Sequence, residues 1–364
     1  MDGMINKIVL TGGPCAGKTT ALARIVDHFS EIGYYVLTVP EAATLFSLSG
    51  VDFQTSDTSL FIESERQLME FQMELEDRMT RIAAKSGRKS LIVCDRGTMD
   101  LKAYLTAEQW EELLKAIDKT VVEIRDARYE AVIHMATAAK GAVQYYTYSN
   151  NAARTETPEQ ACAVDDRLMA AWTGHPHLRV VGNDCGFEEK INRVLSEISQ
   201  VLGVPQPIEI ERKYLVRQTG DIPNGNISDI TQTYLLPFEG RERRLRRRGE
   251  DGHFVYFLTT KIRIADDRSY EHEQQISEAK YNELMTMANP EKGSIHKKRC
   301  CFIWENQYFE LDTFLNPPLE YQLLEIEDAE NPEEVSLPPF LKVYADVTGD
   351  PQYSNSNIAK RVLK

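Results

Sequence analysis

Through the first half of the chain, short apolar runs alternate with longer amphipathic ones. Ile8 to Leu10 is a compact apolar run, followed by a helical period from Thr20 to Phe29. A strand is expected over Tyr34 to Ala43, with Glu41 at its end, and a long amphipathic helix over Ser64 to Ala84. Further buried strands are expected over Ser90 to Gly97, Glu130 to Thr137 and Leu178 to Asn183. Phe187 to Gly203 then reads as a closing helix with Gly203 as its cap. Strand–helix alternation of this kind predicts an α/β fold with a doubly wound parallel sheet, whose ligands sit at the carboxyl ends of the strands.

After the turn-rich stretch GVPQP, Gly203 to Pro207, the period changes from helical to two. The chain therefore divides into residues 1–203, a linker 204–207, and residues 208–364. In IEIERKYLV, Glu209, Glu211 and Lys213 share one face and Ile208, Ile210 and Arg212 the other. The pattern recurs in later strand candidates. Arg244, Arg246 and Arg248 share a face, as do Thr259, Lys261 and Arg263, and Glu271 and Glu273. So do Lys297 and Arg299, Glu310 and Asp312, and Glu325 and Glu327. Some strands are acidic on that face and others basic. An α+β antiparallel β-barrel accounts for both signs if the charged faces point inward around a polar lumen. Burying such a lumen bare is costly, and water, a polyanion or divalent cations relieve the cost.

Composition narrows the reading. The 364 residues include 42% hydrophobic and 27% charged residues, ordinary for soluble domains, with a net charge of −14. Divided near Pro207, both halves carry more acid than base, which argues against nucleic acid or bulk attraction to an anionic membrane. An anion must then be held by local charge, and RERRLRRR, Arg241 to Arg248, is the densest such concentration. No CxxC pair occurs among the six cysteines, which read as reduced, mostly buried thiols. MDGMINKIVL has no signal-peptide pattern, and no apolar run reaches membrane-spanning length, so a cytoplasmic protein without an integral membrane segment is expected.

The first half carries one specific chemical motif. Gly12-x4-Gly17-Lys18-Thr19 lies between an apolar strand and a helix, which is the P-loop pattern. Gly12, Gly13 and Gly17 free backbone N–H groups to face phosphates, Lys18 adds a cation, and Thr19 offers a hydroxyl to Mg²⁺, with Thr20 beside it on the helix. Asp95 ends a strand where a Walker B carboxylate holds Mg²⁺ through water. Glu41 also ends a strand, where a base reaches a hydroxyl.

PEAA after the second strand and DRG after the third resemble the P-loop kinases of nucleosides and nicotinamide riboside. GAVQYYTYSNNAARTETPEQACAVDDRLMAAWTGHPHL resembles the lid and following helix of that group, which implies Arg154 over the transferred phosphate with Arg128 or Arg167 assisting. No NKxD guanine-reading element occurs, and Asn183 at the fifth strand end stands where a base contact is expected.

From Ile208 to about the C-terminus, ExExK, RLR, TK, ExE, KxR, LD and a final ExE resemble, in order, the CYTH family of triphosphate tunnel metalloenzymes. The resemblance implies hydrolysis of triphosphates or cyclisation of ATP, with Glu209, Glu211, Glu325 and Glu327 on Mg²⁺ or Mn²⁺ and Asp312 in support. It also implies Lys213, Arg244, Arg246, Lys261, Lys297 and Arg299 on phosphates. Both halves together, with ADVTGDPQYSN near the end, resemble the TRPL translocation defect protein family, which implies GTP and phosphoinositide binding in membrane trafficking.

Three activities are consistent with these residues. One is Mg²⁺-dependent binding and hydrolysis of ATP or GTP, coupled to binding or hydrolysis of a triphosphate, polyphosphate or other phosphate-rich ligand. The second is non-catalytic regulation through GTP and a phosphoinositide headgroup. The third is a small-molecule kinase of nucleoside type with Glu41 or Asp95 as base.

Overall fold

The computed structural model describes residues 4–142, 157–204, 208–238, 240–263, 268–327 and 335–362. It divides into two compact units, 1–198 and 199–364.

The first unit runs, in chain order, through β1 (Ile5–Thr11), α1 (Lys18–Glu31), β2 (Tyr35–Val39), α2 (Ala42–Leu48), α3 (Thr58–Ser86), β3 (Ser90–Asp95), α4 (Ala107–Ala116), β4 (Ala131–Met135), α5 (Pro158–Trp172), β5 (Leu178–Val181) and α6 (Phe187–Val201). Its five strands pair in parallel in the order β2-β3-β1-β4-β5. Ile8, Val9 and Leu10 of β1, and Leu91 to Cys94 of β3, are fully buried because helices cover both faces of the sheet. The strand expected to end at Glu41 stops at Val39, and Glu41 N-caps α2. Pro40 lacks the N–H a further ladder bond needs. The long helix starts earlier than its apolar period, at Asp57, whose side chain accepts from the N–H groups of Ser59 and Leu60. No described helix is long and apolar enough to cross a membrane.

The second unit contains β6 (Ile208–Gln218), β7 (Asn226–Tyr234), β8 (Glu242–Glu250), β9 (His253–Arg263), β10 (Arg268–Ile276), α7 (Glu278–Met285), β11 (Ile295–Trp304), β12 (Gln307–Asn316), β13 (Pro318–Glu327), β14 (Leu341–Asp346) and α8 (Asn355–Ala359). The strands form one large antiparallel sheet in the order β10-β9-β8-β7-β11-β12-β13-β6-β14, and β10 also pairs with β6. One face is apolar and covered. Leu245 packs with Leu235, Tyr281 and Leu284, so α7 lies against β8. Tyr234, Ile295, Phe314 and Leu323 pack with Ile358 and Ala359 of α8. Two strands escape the apolar period. β7, NISDITQTY, buries Ser228, Gln232 and Thr233, and β14 is mostly exposed.

All six cysteines are free thiols. Cys94 and Cys301 are buried and the other four half-buried, less sequestered than their residue type suggests.

Candidate functional site

The loop after β1 owes its shape to its glycines. A Cβ on Gly12 would stand 2.0 Å from the Met135 carbonyl oxygen, and Gly17 has a φ of 93° in the left-handed region. Both positions exclude a side chain. The Gly13 N–H donates to Asp165 Oδ1 at 2.8 Å, and His134 Nε2 lies 3.0 Å from the same oxygen. Burial alone would raise the Asp165 carboxyl, but His134 and Lys140 hold it well below the carboxylate range. Asp165, on α5, thus anchors the loop from beneath.

Lys18 begins α1 and folds back over the loop, its Nζ donating to the Gly12 carbonyl at 2.9 Å. Burial and the nearby Arg96 charge lower its pKa to about 8, while Asp95, Glu41 and Asp100 act in the opposite sense. Thr19 and Thr20 are exposed on the first turn of the helix. Burial raises the Asp95 carboxyl, and its buried Oδ1 has no hydrogen-bond partner among the described residues. An orphan carboxylate oxygen at a strand end, close enough to Lys18 for its charge to act on that ammonium, suits a hydrated divalent cation. The donor chemistry here therefore fits Mg²⁺.

Glu41 is engaged at both oxygens. Arg96 Nε donates to Oε1 at 2.5 Å and Thr44 Oγ1 to Oε2 at 2.6 Å. Burial would raise Glu41, but Arg96, Thr44 and Lys18 bring it below its ordinary value. Asp100, buried, accepts from Thr11 Oγ1 and from the Gly97 N–H. Asn183 is committed as well. Its Nδ2 donates to the carbonyls of Thr137 and Lys140, both at 2.7 Å, and Lys190 Nζ donates to its Oδ1. Arg128 is tied to Glu76 and Asp77 of α3 just before β4, at the opposite end of the sheet from the loop. Arg167 donates to the Ala103 carbonyl. Arg154 lies outside the described residues.

In the second unit, strand register assembles the charged face. Arg299 on β11 lies opposite Asp312 on β12, Glu310 lies opposite Glu325 on β13, and Glu325 lies opposite Lys213 on β6. Arg299 is the hub. Nε donates to Asp312 Oδ1 and Nη2 to Asp312 Oδ2, each at 2.7 Å; Nη2 also meets Glu325 at 2.5 Å, and Nη1 contacts Glu310. Burial would depress the guanidinium, but these carboxylates hold it well above its usual pKa. Burial and Arg299 lower the pKa of Lys297, which pairs with Asp312. Lys213 Nζ lies 2.9 Å from Glu325 and 3.3 Å from Glu211. Burial would lower its pKa too, but those carboxylates raise it.

Further along, Arg244 pairs with Glu271 at 2.7 Å, Lys261 with the same residue at 2.8 Å, and Arg246 with Glu273 at 3.3 Å. The opposite face of β8 behaves differently. Arg243 lies over the Phe238 ring and Arg247 over Phe254, with guanidinium-to-centroid distances of 5.4 and 4.3 Å. Both arginines stack on aromatic faces and are half-buried. Glu327 stands opposite Glu211, and the Glu209 backbone opposite Ser269; the Glu209 side chain lies outside the described residues. Among the described residues, no three carboxylate, imidazole or thiol groups gather as a ready metal site. The charged face instead satisfies its carboxylates with its own cations.

Sequence reasoning missed Asp165, His134, Asp100 and Arg96 as parts of these constellations. Only the DRG following β3 offered a signal, for Arg96. The other three carry none that distinguishes them from ordinary polar residues.

Residues 7–190 match the family model of an AAA domain. An inorganic triphosphatase from Acetivibrio thermocellus is 31% identical over 161 residues, which span 43% of this chain and 96% of that protein. The chain belongs to the AAA-domain family and, over those 161 residues, to the family of this triphosphatase. Among solved structures, an inorganic triphosphatase is 28% identical with a TM-score of 0.31, covering 42% of this chain and 94% of that one. The NadR protein in complex with NAD and AMP-PNP is 13% identical with a TM-score of 0.38, covering 54% and 49%. Thymidylate kinase from Ehrlichia chaffeensis is 16% identical with a TM-score of 0.36, covering 54% and 98%. The AAA domain of this chain is thus a P-loop-like nucleotide-binding unit, joined to a triphosphatase-related one.

Proposed function

We propose that the chain is a two-site phosphohydrolase. Lys18 and the backbone N–H groups around it hold the phosphates of ATP or GTP, while Thr19 and Asp95 hold Mg²⁺, which neutralises charge on the reacting phosphate. Water attacks the γ-phosphorus, the bond to the departing diphosphate breaks, and Lys18 stabilises the charge that develops. Glu41 is a poor base while Arg96 occupies it and Asp95 is engaged by the cation, so the attacking water's proton passes to the phosphate that is released.

In the second unit, the pairing of β10 with both β9 and β6 supports closure of the sheet into a tunnel. Lys213, Arg244, Arg246, Lys261, Lys297 and Arg299 then face a triphosphate or polyphosphate. Glu209, Glu211, Glu325 and Glu327, with Asp312, would hold Mg²⁺ or Mn²⁺ once the bound phosphates draw Lys213, Lys297 and Arg299 off the carboxylates they now pair with. The observation that carries this reading is the mixed charge gathered on one strand face, with Arg299 buried among three carboxylates. A triphosphate with its metals matches both signs at once.

A second reading, a regulator that binds a phosphoinositide headgroup without hydrolysis, is favoured by one feature. Arg244, Arg246 and Lys261 are less buried than Arg299 and Lys297, and pair with Glu271 and Glu273, which are not among the candidate metal ligands. Phosphate release from ATP, GTP and inorganic triphosphate with Mg²⁺ or Mn²⁺ separates the readings. A Lys18→Ala variant is expected to lose nucleotide turnover alone, and Glu209→Gln with Glu211→Gln to lose triphosphate turnover alone. Triphosphate binding without turnover would favour the regulator.

The β8 arginines provide a parity test. Arg244→Ala and Arg246→Ala are each expected to weaken triphosphate binding at least ~10-fold, about 1.4 kcal/mol, by removing a charge-assisted contact in a confined site. Arg243→Ala and Arg247→Ala are expected to leave affinity within about two-fold and to cost roughly 0.5–1 kcal/mol of stability through lost ring stacking. Calorimetric titration of all four variants checks this, and equal losses from both pairs would refute the assignment of faces.

A further inference from the structure

The arginines of β8 are satisfied differently on its two faces. On the inner face Arg244 and Arg246 pair with Glu271 and Glu273, and Arg248 lies 3.9 Å from Glu310. On the outer face Arg243 meets no carboxylate among the described residues. Its Nη2 donates to the Leu236 carbonyl at 3.4 Å, its guanidinium lies over the Phe238 ring, and its buried Nε has no hydrogen-bond partner among the described residues. Arg241, just before β8, is exposed and bonds to Phe238 through its backbone alone among the described residues. In a chain of net charge −14, two neighbouring guanidiniums without an acid form a local excess of the opposite sign.

Apolar side chains stand beside them. Leu236, Phe238 and Met287 are exposed, Phe238 the most at 56%. The Leu236 N–H donates to the Met287 carbonyl at 2.9 Å, which sets the loop after β7 against the segment that follows α7. Thr260 on β9 stands opposite Arg243, and Ile262, two positions on, shares its face and is exposed as well. Further along the same face Leu245 is covered by Tyr281 and Leu284 of α7. Among the described residues no such cover reaches Leu236, Phe238 or Ile262. Exposed apolar groups rimmed by charge mark protein-binding surfaces, and arginine and aromatic residues carry much of the energy there.

The backbone holds this patch in place. Phe238 and Arg241 exchange N–H···O=C bonds of 3.2 and 3.0 Å, and Pro237 fixes φ between Leu236 and Phe238. A surface displayed in one conformation loses less freedom when a partner arrives.

We propose that this patch docks a short acidic segment of another protein, its carboxylates on Arg241 and Arg243 and an apolar side chain against Leu236 and Phe238. A carboxylate matches the planar fork of a guanidinium with two parallel bonds. An anionic bilayer fits the patch less well, because the acidic chain is repelled wherever a broad surface comes within a Debye length, about 8–10 Å. A short segment meets only the local guanidiniums. The proposal goes beyond the phosphohydrolase reading and does not rest on it, since Arg241 and Arg243 stand outside both sets of phosphate ligands.

The probe is a fluorescein-labelled peptide of glutamates around one central phenylalanine, titrated into the full chain and read by anisotropy. One control peptide replaces the phenylalanine by glycine, and the other replaces the glutamates by serines. The probe is expected to bind at least ~10-fold more tightly than either control. Arg243→Ala and Phe238→Ala are each expected to weaken it at least ~5-fold while keeping the second unit's unfolding transition, and Arg244→Ala to leave it within about two-fold. Phe238→Ala, at an exposed site, carries the test if Arg243→Ala unfolds. Equal binding of the three peptides, binding of none, or wild-type affinity in Phe238→Ala would overturn the proposal. An equal loss in Arg244→Ala would overturn it too, because the peptide would then lie on the inner face of β8. Sedimentation with phosphatidylserine vesicles that is lost in Phe238→Ala would assign the patch to a membrane instead. Light scattering that shows a dimer in the wild type and a monomer in Phe238→Ala would assign it to a second copy of the chain.

Discussion

Replacing Arg299 by alanine is expected to destabilise the second unit by roughly 3–5 kcal/mol, the cost of leaving buried carboxylates without their cation. Arg299 contacts Glu310, Asp312 and Glu325, which come from two further strands. Removing the guanidinium leaves Lys297 on Asp312 and Lys213 on Glu325, each as a single point charge, and on Glu310 only Arg248 among the described residues, 3.9 Å away. Arg299→Lys is expected to recover only part of the loss, because an ammonium cannot span three acceptors in fixed directions. Denaturant unfolding of the full chain, followed through a probe in the second unit, measures both variants. Adding Mg²⁺ or Mn²⁺ is expected to restore part of the stability of Arg299→Ala, since a cation that binds only the folded state raises it. A loss under ~1 kcal/mol in Arg299→Ala would show that the buried charge network is relieved by water and would remove Arg299 as its hub.

Lys18→Ala is expected to weaken Mg-nucleotide binding at least ~10-fold, about 1.4 kcal/mol, and to leave the second unit's unfolding transition unchanged. The wild-type pH profile provides an independent check. The free lysine has a pKa lowered to about 8 by burial and Arg96, so it is already losing its proton just above neutrality. Bound phosphate favours the ammonium form. Nucleotide affinity is therefore expected to decline as pH rises beyond about 8, and that decline is expected to vanish in Lys18→Ala. Isothermal titration of ATP and GTP across pH 7 to 9.5 reads both effects at once. Affinities that match wild type in Lys18→Ala, for both nucleotides, would remove the phosphate-loop assignment.

The AAA-domain half was legible because its signals are local. Gly12 through Thr19 specify a turn within a few residues, and only residues without a side chain tolerate the contacts at Gly12. Strand parity was legible for the same reason. Alternation alone places Arg244 and Arg246 on one side of β8 and Leu245 on the other, where it is fully buried under α7. The arrangement of neither site follows from such rules. Asp165 reaches the Gly13 N–H across 152 positions, and Arg96 reaches Glu41 across 55. Arg299 finds Glu325 only because β12 stands between their strands in register. Glu65 reads in the sequence as one more acid on a helix, yet packing leaves it buried and alone. The sequence by itself determined which backbone conformations were open and which side chains shared a face, since both depend on neighbours along the chain. The tertiary structure decided which charges met, and which carboxylate was left unmet, since desolvation and ion pairing depend on groups brought from distant parts of the chain.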